Sequence, residues 1–236
     1  MTTHSSDNET SRRKFLQMGI TGTAASLLAG GLDLAIPTRA IAQSMLTPDA
    51  ALAELMAGHK RFIDNKGTAH THDLEIIRDH TAEKQEPFAG ILACADSRVP
   101  VEIIFDQSIG HLFVTRIAGN LVTPEIIGSL EYGAAVLGTK VLIVMGHSNC
   151  GAVKAAMKGG EVPGQISCLY PHIQPAVDQA GGNFEAAIKA NAKIQASLLR
   201  QASPVISGLI KEGKLQVIAT YYDVASGAVT LLDKAA

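Results

Sequence analysis

The chain has 236 residues and a mass of 24.7 kDa, the size of one ordinary domain with an appendage rather than of two large domains. With 47% hydrophobic and 18% charged residues, against a usual ~25% charged, it buries a sizeable core, which excludes disorder outside the termini. A formal charge of −2 and a pI near 6.4 leave no basic footprint for nucleic acid, so a small neutral or anionic partner is expected, and three cysteines are too few for a disulfide scaffold.

Residues 1–42 read as an export address. Arg12-Arg13 forms a twin-arginine pattern, and the mildly apolar stretch 17–36 that follows is broken by Gly19, Gly22, Gly30, Gly31 and Asp33. Such an interrupted stretch predicts no stable membrane anchor. It ends at Ala40-Ile41-Ala42, the small-residue pattern of a signal-peptidase site. The expectation is export of the folded chain by the twin-arginine translocase, cleavage after Ala42, a periplasmic location and a mature domain spanning 43–236. A route that accepts folded chains suits a protein that takes up a metal before export.

The mature segment alternates helix and strand signals. Pro48 at a first helical position opens a helix up to about Phe62, with Leu52, Leu55, Met56 and Phe62 on one apolar stripe that needs something to lie on. Residues 65–86 are polar and His-rich, with a second helix over 74–81. Residues 88–93 form a short apolar run bounded by Pro87 and Asp96, which predicts a buried strand; a second strand covers 112–116. Thr123-Pro124-Glu125 starts a helix that runs to Leu137 and stops at Gly138. Residues 140–145 are the clearest buried strand. Helices follow over 151–158, 183–202 and, past Pro204, 205–211. Strands over 214–221 and 228–232, joined by a Ser226-Gly227 turn, close the chain. Strands separated by helices imply a single α/β domain with a mainly parallel central sheet flanked by helices. Cys168, in the apolar segment 166–170, reads as core filler.

Two short motifs sit where two of these strands end: Cys94-Ala95-Asp96-Ser97-Arg98 after the first strand, and His147-Ser148-Asn149-Cys150-Gly151 after the strand over 140–145. Ligands of open α/β sheets bind at that edge. Two thiolates and an imidazole are donors that Zn²⁺ prefers, and three protein ligands leave a fourth position free, the catalytic rather than the structural pattern. Each motif alone is weak; at matching strand ends the two reinforce each other. Residues two apart on an extended segment face the same way, so the Arg98 guanidinium can clamp Asp96 on the side that carries Cys94.

With these motifs the chain resembles the β-class carbonic anhydrases. The resemblance extends through Leu112-Phe113-Val114-x-Arg116-x-Ala118-Gly119-Asn120, Ser129-Leu130-Glu131-Tyr132 and the leading helix from Leu46, and covers residues 46–232. It implies zinc ligation by Cys94, His147 and Cys150. Asp96 would bind zinc in a closed form and accept from Arg98 in an open, active one. The plant-type subgroup adds Gln85 as a hydrogen-bond donor to substrate, Phe113, Ala118 and Tyr132 as apolar pocket lining, and Gly151 in the pocket wall. It also implies reversible hydration of carbon dioxide to bicarbonate and a proton, and assembly as a homodimer or larger homo-oligomer through the leading helix. Three positions depart from the family pattern: Ile91 stands where the subgroup with a noncatalytic bicarbonate site carries Trp, Ile117 replaces a common Asn, and His111 stands where an acidic residue is common. None of these is a zinc ligand. His111, a surface histidine, is expected to be solvated rather than a proton shuttle.

Three rival readings share parts of this pattern. A carbon disulfide or carbonyl sulfide hydrolase on the same scaffold would keep every zinc ligand and differ in the pocket. A thiol redox protein would pair Cys94 with Cys150 in an oxidising compartment. A zinc-carrying binding module would have no need of Asp96 and Arg98.

Overall fold

The computed structural model of the chain describes residues 44–71 and 73–233, so the export address at 1–42 lies outside the described residues. In chain order come α1 (Pro48–Ile63), a 3₁₀ turn (Ala69–Thr71), α2 (Asp73–Ile76), β1 (Ala89–Ala93), α3 (Val101–Ile104), β2 (Leu112–Arg116), α4 (Pro124–Glu131) and β3 (Val141–His147). There follow α5 (Gly151–Lys158), a 3₁₀ turn (Gly164–Leu169), α6 (Tyr170–Gln179), α7 (Phe184–Ala202), α8 (Pro204–Lys211), β4 (Gln216–Tyr222) and β5 (Val229–Leu231). The strands form one sheet in the order β2-β1-β3-β4-β5. The first four are parallel and β5 runs antiparallel to β4. This is the mainly parallel sheet flanked by helices that the alternation of strand and helix signals predicts.

The helix starts follow from capping chemistry. Thr47 and Asn183 accept at their side chains from the N–H groups of Ala50 and Ala186, and Ser203 accepts from Ile206 N–H ahead of Pro204. Two of the expected helices change pitch. Asp73–Ile76 passes into a π turn over Ile77–Thr81, and Pro124–Glu131 passes into another over Tyr132–Val136. The second π turn closes with Leu137 N–H donating to Tyr132 O, and Gly138 at φ +77° ends it.

Because strand side chains alternate, the sheet has two apolar faces. Ala89, Ile91, Ala93, Ile143 and Met145 face α1 and α3 through Ala51, Leu55, Ile104 and Phe105. Leu92, Leu142, Val144, Val217 and Ala219 face α4, α7 and α8 through Leu130, Ala196, Leu199 and Ile206. The stripe of α1 therefore lies on the chain's own sheet. Burial of each large side chain stabilises the fold by ~1.5–3 kcal/mol. At Gly146 the sheet meets α7 so closely that an added Cβ would lie 3.2 Å from Ala192 Cβ and from Ile188 O. That close approach fixes the height of the next residue, His147.

One expectation is corrected. Cys168 is exposed rather than core filler: it lies on a short 3₁₀ turn with no buried residue, of which only Leu169, with the Tyr170 that follows, packs against the core. His111 is exposed, as expected of a surface histidine, although its Nδ1 pairs with Gln107 Oε1 at 3.2 Å and its ring stands edge-on to Phe88. Burial pushes its pKa below the ordinary histidine value. Among the described residues, no helix is long and apolar enough to cross a membrane.

Candidate metal centre

β1 and β3 are neighbours, with Ala93 level with Met145, so Cys94 and His147 emerge side by side at the carboxyl edge of the sheet. Ser148 N–H donates to Tyr222 O, which carries the ladder past His147, and Asn149 at φ +56° turns the chain back. Cys150 then caps α5. The three ligand atoms of Cys94, His147 and Cys150 lie within 4.8 Å of one another, and all three residues are buried.

The electrostatics of this cluster are those of a site built for a cation. The Cys150 thiol donates to the Cys94 sulfur, and although burial opposes it, the His147 ring and the N–H groups of Gly119 and Asp96 help to favour the Cys94 thiolate. The same shared proton, together with burial, pushes the Cys150 thiol up, while the Ala152 and Val153 N–H groups at the start of α5 work the other way. Two adjacent buried sulfurs cannot both ionise without a positive charge between them. The His147 ring is fixed by Nδ1, which donates to Ser148 O at 3.0 Å. Its Nε2 is buried and has no hydrogen-bond partner. An orphaned imidazole nitrogen facing two sulfurs fits a metal ion of zinc's ligand preferences.

Asp96 and Arg98 border the cluster. Arg98 Nε donates to Asp96 Oδ1 at 2.9 Å and Nη2 to Oδ2 at 2.8 Å, while Arg98 N–H adds a third bond to Oδ1 at 2.9 Å. These bonds, led by the guanidinium, hold the Asp96 carboxyl well below the usual carboxylate range against the opposing effect of burial. Asp96 Oδ2 lies 3.9 Å from His147 Nε2, so the carboxylate is at the edge of the ligand set and engaged by Arg98. Arg98 Nη2 also donates to Asn149 O at 3.3 Å, which ties the two motifs together.

The remaining expected residues are less closely gathered. Phe113 and Tyr132 have ring centroids 6.2 Å apart, with Tyr132 exposed at the start of its π turn and Phe113 and Ala118 half-buried. Gly151 is exposed, with open space beyond its Cα. Gln85 is exposed in the segment leading into β1, with no hydrogen bond to the cluster among the described residues. The structure also shows a contributor to which the motifs assign no role. Arg116 Nε donates to Cys94 O at 3.0 Å and its Nη2 donates to Asp96 O, which pins the backbone between ligand and carboxylate. The only signal for it in the sequence was its place in the Arg-x-Ala-Gly-Asn run.

A buried sulfur, nitrogen, sulfur set at the carboxyl edge of a parallel sheet, bordered by a clamped carboxylate, defines a metal-dependent enzyme of the α/β class. Residues 89–229 match the sequence model of the family described as carbonic anhydrase. The chain is 32% identical over 194 residues to carbonic anhydrase 2 of Mycobacterium tuberculosis, covering 79% of this chain and 93% of that one. It is 33% identical over 195 residues to the carbonic anhydrase of Mycolicibacterium smegmatis, covering 78% and 93%. Its fold is similar to the β-carbonic anhydrase of Coccomyxa solved with acetazolamide, at a TM-score of 0.63 and 25% identity over 78% of this chain and 87% of that one. A tetrameric β-carbonic anhydrase of Sordaria macrospora superposes with a TM-score of 0.63 at 22% identity, covering 78% and 98%. The chain belongs to the β-carbonic anhydrase family and is an enzyme of it, the family's general reaction being hydration of carbon dioxide.

Proposed function

We propose that the chain catalyses zinc-dependent, reversible hydration of carbon dioxide to bicarbonate and a proton. The observation that carries this reading is the orphaned His147 Nε2 among two buried sulfurs beside a carboxylate held by Arg98. Cys94, His147 and Cys150 would hold the zinc. Zinc bound there would supply Lewis acidity, which makes water acidic enough to ionise near neutral pH. The chain supplies position. Arg98 keeps Asp96 ionised and turned from the ligand set, so that the carboxylate serves as a hydrogen-bond acceptor that orients the attacking oxygen. Ser148 O keeps the His147 proton on Nδ1 and frees Nε2 for the metal. Arg116 fixes the peptides of Cys94 and Asp96. Phe113, Ala118 and Tyr132 offer carbon dioxide an apolar surface, Gly151 leaves room in the wall, and Gln85 steadies the product carboxylate.

Two further readings belong to the same proposal. Export by the twin-arginine translocase, with cleavage after Ala42, rests on the sequence of residues 1–42. Assembly into a homo-oligomer is supported by the exposed apolar side chains Met45, Leu46, Ile103 and Ile109. Stopped-flow carbon dioxide hydration by the purified chain, with zinc quantified on the same sample, tests the central reading. About one zinc per chain with hydration activity is expected. Zinc without hydration but with carbon disulfide or carbonyl sulfide turnover would replace the substrate, and a metal-free Cys94–Cys150 disulfide would replace the chemistry.

A further inference from the structure

We infer that Asn191 and Gln195, two buried amides on α7, are positioning residues for the metal centre: they hold the turn 117–120 in the one arrangement that aims the Gly119 N–H at the Cys94 sulfur. This inference rests on the zinc reading of the site.

The turn is closed by Asn120 N–H donating to Ile117 O at 2.9 Å, and Gly119, its third residue, has φ +79°. That is the hand in which the central peptide, Ala118 to Gly119, points its N–H toward Cys94, and this N–H donates to Cys94 Sγ at 3.3 Å. Glycine itself does not dictate the hand, because it accepts positive and negative φ about equally. Were the central peptide to flip, the Ala118 carbonyl would replace the N–H and face the sulfur.

What selects the hand is the next peptide. Its carbonyl, Gly119 O, accepts from Asn191 Nδ2 at 2.8 Å and its N–H is spent on Ile117, so it is held at both ends. Asn191 Oδ1 accepts from Gln195 Nε2 at 3.2 Å. Gln195 Nε2 also donates to His172 O at 3.1 Å, and its Oε1 accepts from Val122 N–H at 2.8 Å. Asn191 is 1% and Gln195 0% exposed, and every amide oxygen and nitrogen in the pair has a partner. Packing does not force an amide pair into an apolar helix face between Ile188 and Leu199; apolar side chains would fill that space without needing partners. The pair is placed where it can read out the loop, one peptide away from a metal ligand. A hydrogen bond to a thiolate sulfur withdraws its electron density, which sets how strongly it donates to a bound metal.

The test uses cobalt(II)-substituted and zinc-loaded protein. Asn191→Ala removes the donor to Gly119 O, and Asn191→Ser, which keeps a hydroxyl too short to reach it, gives the same reading if the alanine variant does not fold. The thiolate-to-cobalt charge-transfer band is expected to move to lower energy as the sulfur regains electron density, while zinc affinity measured by chelator competition is expected to fall roughly tenfold or more because the turn no longer holds Cys94 in place. Leu199→Ala, on the same helix and equally buried, should lower stability and leave the band in place. An unmoved band in folded Asn191 variants, or an equal shift in Leu199→Ala, would overturn the inference. A wild-type protein that binds cobalt without any thiolate band would instead overturn the metal reading beneath it.

Discussion

His59 and His147 are both buried, at 6% and 0% exposure, yet they are finished differently. His59, on α1, accepts from Val229 N–H at Nε2 over 3.0 Å and donates from Nδ1 to Ile104 O over 3.1 Å. Both nitrogens are spent, and the ring ties α1 to the end of α3 and the start of β5. His147 spends only Nδ1 and leaves Nε2 unpaired between two sulfurs and a carboxylate. Burial alone therefore does not mark a ligand. The unfilled valence does, because a saturated histidine has nothing left to offer a metal, whereas an orphaned nitrogen costs stability until something occupies it.

The sharpest way to break the comparison is to remove a ligand. His147→Ala and Cys150→Ser should each reduce zinc from about one per chain to near none. Hydration activity should fall by more than the roughly 10–100-fold that follows loss of an outer hydrogen-bond partner. The thermal midpoint should drop as well, because metal binding contributes to folding. Elemental analysis beside calorimetry checks this, and full zinc retention in both variants would remove the site.

The next largest effect separates holding a metal from using it. Arg98→Ala and Asp96→Asn should keep zinc and fold but slow hydration by ~10²-fold, the scale on which a misplaced reacting group is felt. Wild-type rates in both would make the pair an ordinary ion pair.

His59→Ala tests the other half of the comparison. Two backbone groups lose their partners, so denaturant unfolding should report a loss of about 2–3 kcal/mol, with zinc stoichiometry unchanged. A variant that instead lost its zinc would show that the two histidines are not independent.

The smallest effect concerns acid. Burial opposes ionisation of Asp106, but hydrogen bonds from Arg61 and from the N–H groups of Ala69 and Thr68 outweigh it and hold its pKa below the usual 3.8. A group with a depressed folded pKa contributes stability that is fully present above the unfolded value and is lost as pH falls through the folded one. Urea midpoints measured downward from pH 6 should therefore fall less steeply below pH 4 in Asp106→Asn than in wild type. Parallel curves would assign the acid sensitivity elsewhere.

Much of this was legible in the sequence because its signals were local. Five strands appeared as apolar runs, and both ligand motifs lie directly at strand ends, so reading the sheet also located the candidate metal centre. What escaped had no local signal. Residues 170–179 form α6 despite Pro171 and Pro175, because Pro171 falls in the first turn, where no N–H is needed, and only Ile173 and Ala176 are buried. Cys168 looked like core because apolar neighbours surround it in sequence, not in space. Asn191 and Gln195 sit one turn apart among Ala, Lys and Ile, a pattern that normally marks a solvated helix face. Only the packing of α7 against the sheet reveals them as buried.

The order of the strands also bears on how the protein acquires its metal. Cys94 leaves β1, and His147 and Cys150 follow β3, which adds to β1 only after the chain has run out to the edge strand β2 and back. Ligands so far apart in the chain meet only once a non-local parallel pairing has closed, and such pairings form slowly. Until then the nascent chain offers a metal only the local His147 and Cys150 pair, without Cys94. The complete three-ligand site exists only in the assembled sheet, and a metal held there would slow unfolding while leaving the folding rate unchanged.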